Sequence, residues 1–162
     1  EDVAQAVDGA EIIFVVLPAF AHAYVAQELA GCLVDGQTVV VCPGATGGAL
    51  EFRAIWDRAG CRSKVRLCET NSLFYAARAQ DAVATISGVK DELSLAALPA
   101  QDTQAIIDDL SDVYPQLIPA ANVLETSLNN MNTVVHPLPV LLNAGSIERG
   151  EKFRHYLSLI HI

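Results

Sequence analysis

The stretch "NNMNTVVHPLPVLLNAG", Asn129 to Gly145, sets His136 directly before Pro137 and close to Pro139, among Asn129, Asn132 and Asn143. An imidazole gives and takes a proton near neutrality, and a carboxamide both donates and accepts hydrogen bonds, so these residue types can hold a polar ligand and move a proton on it. At about 100° per residue, Asn129, Asn132, His136 and Asn143 fall on one helical stripe. Leu124, Leu128, Met131, Val135, Leu138 and Leu142 fall on a second, expected to pack against a neighbour. Each proline lacks the amide that would bond the carbonyl four residues earlier, which leaves Thr133 and Val135 without helical partners and predicts a kink at His136. A core histidine satisfied beside a kink has the same spacing, and spacing alone does not separate the two readings.

Three loops also carry residues able to do chemistry. In "LPAFAH", Pro18 ends an apolar run, Ala19 leaves the backbone open to a flat ring or a phosphate, and His22 falls in a first helical turn. There the positive end of the helix dipole disfavours a protonated ring, although a polar residue at an exposed helix start accounts for His22 equally well. "CPGATGGAL" has the strand, glycine, helix order of an anion cradle, yet it matches neither GxGxxG nor GxxxxGK[ST]. A tight turn explains its glycines as readily. "ETNSLFYAAR" turns from polar to aromatic and either lines a cleft or caps a sheet edge.

The elements that must position these loops alternate in type. "EIIFVVLP", "QTVVVCPG" and "KVRLCETN" read as strands, and "AHAYVAQELAGCL" and "ALEFRAIWDRAG" follow as helices. Ala21, Val25, Leu29 and Leu33 share one helical face; Phe52, Ile55, Trp56 and Ala59 share the other helix's face, before Gly60 stops it. Strands apolar on both faces, interleaved with amphipathic helices, predict a doubly wound α/β sheet covered on both sides. Ligands of such sheets lie over the carboxyl ends of the strands, where the three loops fall. "AVATISG" and "ELSLAALP" around "VKD" predict a hairpin at the sheet's end. Asp102 is expected to cap a helix carrying Ile106, Ile107, Leu110, Val113 and Tyr114, ended by Pro115.

The 162 residues are 52% hydrophobic and 18% charged, which is the composition of a packed domain rather than a disordered chain. A formal charge of -9 disfavours binding to nucleic acid or anionic membranes, and leaves small molecules or proteins as partners. The longest apolar run, "IIFVVLPAF", is far shorter than the roughly 20 residues of a membrane helix and contains Pro18. Cys32, Cys42, Cys61 and Cys68 lack CxxC spacing and lie in apolar segments, which suits reduced core thiols of a cytoplasmic protein and no metal site. The opening "EDVAQAVDGA", without a methionine, reads as a helix entered part-way and hence as a piece of a longer protein.

"AEIIFVVLPAFAH", "GQTVVVCPGATGGALEF" and above all "NNMNTVVHPLPVLLNAGSIE" resemble the NAD/NADP-dependent octopine/nopaline dehydrogenase family, the opine dehydrogenases, from about Asp8 to Tyr156. The resemblance implies the C-terminal half of a Rossmann-type sheet over residues 1–120 and the first helices of an all-helical substrate domain over 121–162. It implies reductive joining of an amino acid's amine to a 2-keto acid with NAD or NADP as cofactor, in the cytoplasm, with a homodimer as an allowed assembly. His136 would be the catalytic acid and base, Asn132 would face the substrate, and Asn143 would support the same wall. Pro18 and Ala19 would lie against the cofactor, His22 nearer the substrate, and Pro43 and Gly44 close to the nicotinamide.

The sequence also departs from the family pattern. It holds no GxGxxG, so the strands that would bear the pyrophosphate loop are expected to precede it, and the carboxylate partner of the histidine is expected beyond its end. The tail "LSLIHI", 157–162, no longer follows the pattern, and His155 and His161 are assigned no role. Two other readings stand beside this one. A ketopantoate, glycerol-3-phosphate or 6-phosphogluconate-type dehydrogenase would centre on a lysine, but Lys64, Lys90 and Lys152 all lie off the His136 segment. A non-enzymatic α/β module would use "GATGGAL" as its anion cradle.

Overall fold

A computed structural model describes residues 2–151 of the chain; the expectations for Lys152, His155, His161 and the 157–162 tail lie outside the described residues. In chain order, α1 (Val3–Val7) leads into β1 (Ile12–Val15), α2 (His22–Ala30), β2 (Thr38–Val41), α3 (Gly48–Ala59) and β3 (Arg66–Thr70). There follow β4 (Tyr75–Gln80), β5 (Val83–Val89), β6 (Leu93–Leu98), α4 (Thr103–Leu110), β7 (Leu117–Pro119) and α5 (Val123–Leu128). The main sheet has the order β1-β2-β3-β6-β7. β1, β2 and β3 run parallel, with Ile12 opposite Thr38 and Val39 opposite Leu67; β6 is antiparallel to β3 and parallel to β7. The fold is the expected α/β one.

β2 shows why its sequence is a continuous apolar run. Val39 and Val41 enter the core layer that holds Leu29, Phe52 and Trp56, while Val40 and Cys42 enter the opposite layer with Cys68, Leu95 and Ile106. Neither face of the strand meets water, so period-2 alternation of polarity is absent. Phe52, Ile55 and Trp56 are buried on α3 as the spacing predicts, and the Trp56 indole nitrogen donates to the Ala26 carbonyl of α2 at 3.0 Å. Ala59 is exposed at the end of that face.

Two local expectations are corrected. "AVATISG" pairs backwards with "YAARAQ", β4 with β5, in a separate two-stranded sheet, while "ELSLAAL" forms β6 and joins β3. The turn of this hairpin falls at Asp81, whose φ of 54° is tolerated by aspartate far better than by a branched residue. Asp102 occupies the position before α4 without a side-chain capping bond; instead the Thr103 hydroxyl accepts from the Ala97 amide at 2.9 Å.

The chain divides into two compact units, the first running to Asn129 and the second beginning at Asn130. α5 closes the first unit, with Asn122 accepting from the Leu124 and Glu125 amides as its N-cap. The second unit contains α6 (Asn132–Val135), α7 (Pro137–Leu142) and α8 (Ala144–Glu148). The chain therefore breaks at His136, as the two missing amides require. The two long stripes are corrected for the same reason: the one continuous helix they assume is interrupted around Asn129, His136 and Asn143. Leu124, Leu128, Met131 and Leu142 are accordingly exposed.

Candidate functional site

The carboxyl ends of β1, β2 and β3 gather the loops singled out above. After β1, Pro18 and Ala19 lie exposed, and a short 3-10 turn, Ala19–Ala21, delivers His22 to the first position of α2. His22 is fully buried, which corrects the reading of it as an exposed helix start. Its Nε2 lies 3.2 Å from the Leu17 carbonyl, and since a carbonyl only accepts, Nε2 carries the proton in that contact. The ring stands edge-on to Phe52, centroids 5.8 Å apart, with Nδ1 turned toward Gly48.

After β2, Cys42 joins Pro43 by a cis peptide bond, and the Gly44 amide donates to the Thr70 carbonyl at 2.9 Å. Gly44 is buried against the carboxyl group of Glu69, so that a Cβ here would drive into that side chain. Glu69, on β3, is wholly buried. It accepts from the Ala49 amide at 2.7 Å, from the Thr126 hydroxyl at 2.6 Å and from the Ser127 hydroxyl at 2.9 Å. The Ser127 oxygen in turn accepts from the Gly47 amide at 2.9 Å, and the Gly48 amide donates to the Gly44 carbonyl at 2.9 Å.

These contacts correct the reading of "GATGGAL" as an anion cradle. The amides of Gly47, Gly48 and Ala49, which a cradle would turn toward a ligand, are already used inside the protein. The carboxylate of Glu69 takes the place an anion would have at the start of α3.

After β3, the Thr70 hydroxyl donates to the Ser72 carbonyl at 2.8 Å, and the Asn71 Oδ1 is buried without a partner. The aromatic part of this loop lines a cleft of about 370 Å³ with Phe14, Val16, Cys42 and Tyr114. The Phe74 and Tyr114 rings lie 4.4 Å apart by centroid in a tilted stack, and Phe14 adds an edge at 6.2 Å to Phe74. The third loop thus lines a cleft. Burial pushes the Cys42 thiol on its wall above the ordinary thiol range, and burial pushes Cys68 further.

In the second unit His136 is exposed and lies between α6 and α7, at the N-cap of α7, with Pro137 as that helix's first residue. Asn132 opens α6, and the Thr133 hydroxyl donates to the Asn130 carbonyl at 2.8 Å. Asn143 closes α7, and its Nδ2 donates to the Pro139 carbonyl at 2.8 Å. Among the described residues no cluster of His, Cys, Asp or Glu is arranged to hold a metal ion, and no helix is long and apolar enough to cross a membrane.

Sequence reasoning missed Glu69, Thr126 and Ser127. The one local signal for Glu69 is an acidic residue inside the strand "RLCET", since a buried carboxylate needs partners from elsewhere in the fold.

Residues 119–161 match the family described as NAD/NADP octopine/nopaline dehydrogenase, alpha-helical domain. The chain is 40% identical over 157 residues to an opine dehydrogenase of Arthrobacter sp. (strain 1C), covering 96% of this chain and 44% of that relative. The chain thus spans less than half the length of this curated relative. Among solved structures, it is similar to octopine dehydrogenase in complex with NADH and agmatine (TM-score 0.71, 24% identity, 90% of this chain and 37% of that one). It is also similar to yersinopine dehydrogenase with NADP+ bound (TM-score 0.73, 21% identity, 86% and 35%). At these identities the structural likeness shows a shared fold.

Proposed function

We propose that this chain, a relative of the opine dehydrogenases along nearly its whole length, is part of an NAD(P)-dependent enzyme that reductively condenses an amino acid with a 2-keto acid. The observation that carries the reading is His136, set at the break between α6 and α7 inside the segment that matches the family's helical domain. The exposed Pro18 and Ala19, with Pro43 half-buried beyond β2, fit a flat ring at the strand ends because none of them projects a long side chain over the backbone. Gly44, beneath Pro43, lets this loop lie flat on Glu69. NADH or NADPH, when bound, supplies the hydride.

The chain's own part in the reaction is proton management and substrate binding. Loss of water from the amine and the keto acid gives an imine, and reduction at its carbon requires a proton at its nitrogen. His136 supplies that proton, and takes one back in the reverse direction. Asn132, at the start of α6, and Asn143, at the end of α7, are assigned to the substrate's polar groups, and His22, buried at the start of α2, to the substrate side of the first loop. The four free thiols suit a cytoplasmic protein. Because the sequence holds no GxGxxG, this piece by itself is proposed to hold cofactor weakly and to turn over little.

The test is His136→Gln in the complete protein, read as the rate of NADH or NADPH oxidation with an amino acid and pyruvate. Loss of a general acid lowers kcat by about 10²-fold or more. An unchanged rate would remove His136 from the chemistry.

A further inference from the structure

Glu69 sits where three separate parts of the first unit converge. Its carboxyl group bonds the amide of Ala49 at the start of α3, lies under Gly44 in the loop after β2, and accepts from Thr126 and Ser127 in the last turn of α5. The partners are 20, 57 and 58 residues away in sequence, so one side chain adds a polar tie between elements that also share the apolar core around Ala49, Phe52, Leu67 and Val123. Ser127 completes the tie by accepting from Gly47. α5 has only six residues, so its own helical bonds hold it weakly. The chain leaves α5 at Asn129 and enters the segment that carries Asn132 and His136.

We propose that Glu69 is a positioning residue, whose buried carboxylate fastens α5 to the Pro43–Gly44 loop and so fixes the place at which the chain departs toward His136. In a neutral isostere the geometry cannot be kept in full. A glutamine oxygen still accepts from the hydroxyls, but its amide nitrogen then faces the Ala49 amide, donor against donor. Glu69→Gln therefore loosens one side of the tie without removing volume from the core.

The inference rests on the dehydrogenase reading for its catalytic consequence, and two measurements on the complete protein separate the two. The first is amide hydrogen exchange, which needs no activity. In Glu69→Gln, and in Thr126→Val with Ser127→Ala, the amides of Gly47, Ala49 and α5 are expected to exchange at least about tenfold faster than in the wild type, as local opening becomes easier. Unchanged protection in both variants would overturn the tie, whatever the enzyme does.

The second is steady-state kinetics of the same variants. Both are expected to lower kcat by about 10- to 100-fold through misplacement of the reacting groups. The shape of the pH profile should be retained. If Glu69→Gln loses activity while the hydroxyl variants keep it, Glu69 acts on the substrate itself and the positioning role is wrong. A wild-type protein without amine-dependent turnover would defeat the dehydrogenase reading and leave the exchange result standing.

Discussion

An acidic side chain in the middle of a buried strand is costly unless every oxygen finds a donor, and Glu69 finds three. That arrangement leaves no room above it. Gly44→Ala is therefore expected to destabilise the first unit by about 1–3 kcal/mol, the usual cost of forcing atoms into a filled core. In thermal unfolding that corresponds to a fall of roughly 2–4 °C per kcal/mol for a chain of this size; an unchanged Tm would mean that the carboxyl group moves aside freely. The thiols give a second residue-scale test. Cys42 and Cys68 are buried and their thiols are pushed up by burial, so a maleimide at pH 7 should modify no more than Cys32 and Cys61 until the protein is unfolded. Rapid labelling of all four in the native state would contradict the packing. At this scale the sequence made His136 visible, because a histidine before a proline in an apolar segment stands out locally. Glu69 stood out only as an acidic residue inside an apolar strand; its role did not, because its partners lie far along the chain and a strand sequence says nothing about which hydroxyls will arrive there.

Among the elements, β2 and β3 are covered on both faces, whereas every residue of the β4–β5 hairpin is exposed. Hydrogen exchange should follow that contrast. Amides of the hairpin are expected to exchange many-fold sooner than those of Val39 to Val41, since little apolar burial opposes their opening; equal protection would show that another surface covers the hairpin. Apolar run length and helical spacing sufficed to place β1, β2, β3, α2 and α3. Pairing was harder. Local alternation identified "AVATISG" and "ELSLAAL" as strands but not their neighbours, because the turn at Asp81 carries no glycine to advertise it. The break at His136 followed from two missing amides. The packing of the flanking leucines did not follow, since a stripe computed over one continuous helix has no meaning once the helix is in pieces.

For the molecule as a whole, the doubly wound sheet brings the ends of β1, β2 and β3 to one edge, and that edge carries the small residues proposed to lie beside a cofactor. The helical segment that follows carries the proposed proton donor. The proposed reductive condensation assigns the hydride donor to the sheet and the protonation of the adduct to the helices. The chain spans 44% of its curated relative's length, and the decisive measurement is of the proposed activity itself. It is the rate of NADH or NADPH oxidation with pyruvate alone and with pyruvate plus each of a panel of amino acids. Oxidation is expected only when both amine and keto acid are present, with a secondary amine as product. Oxidation at full rate with the keto acid alone would contradict it and mark a simple keto-acid reductase.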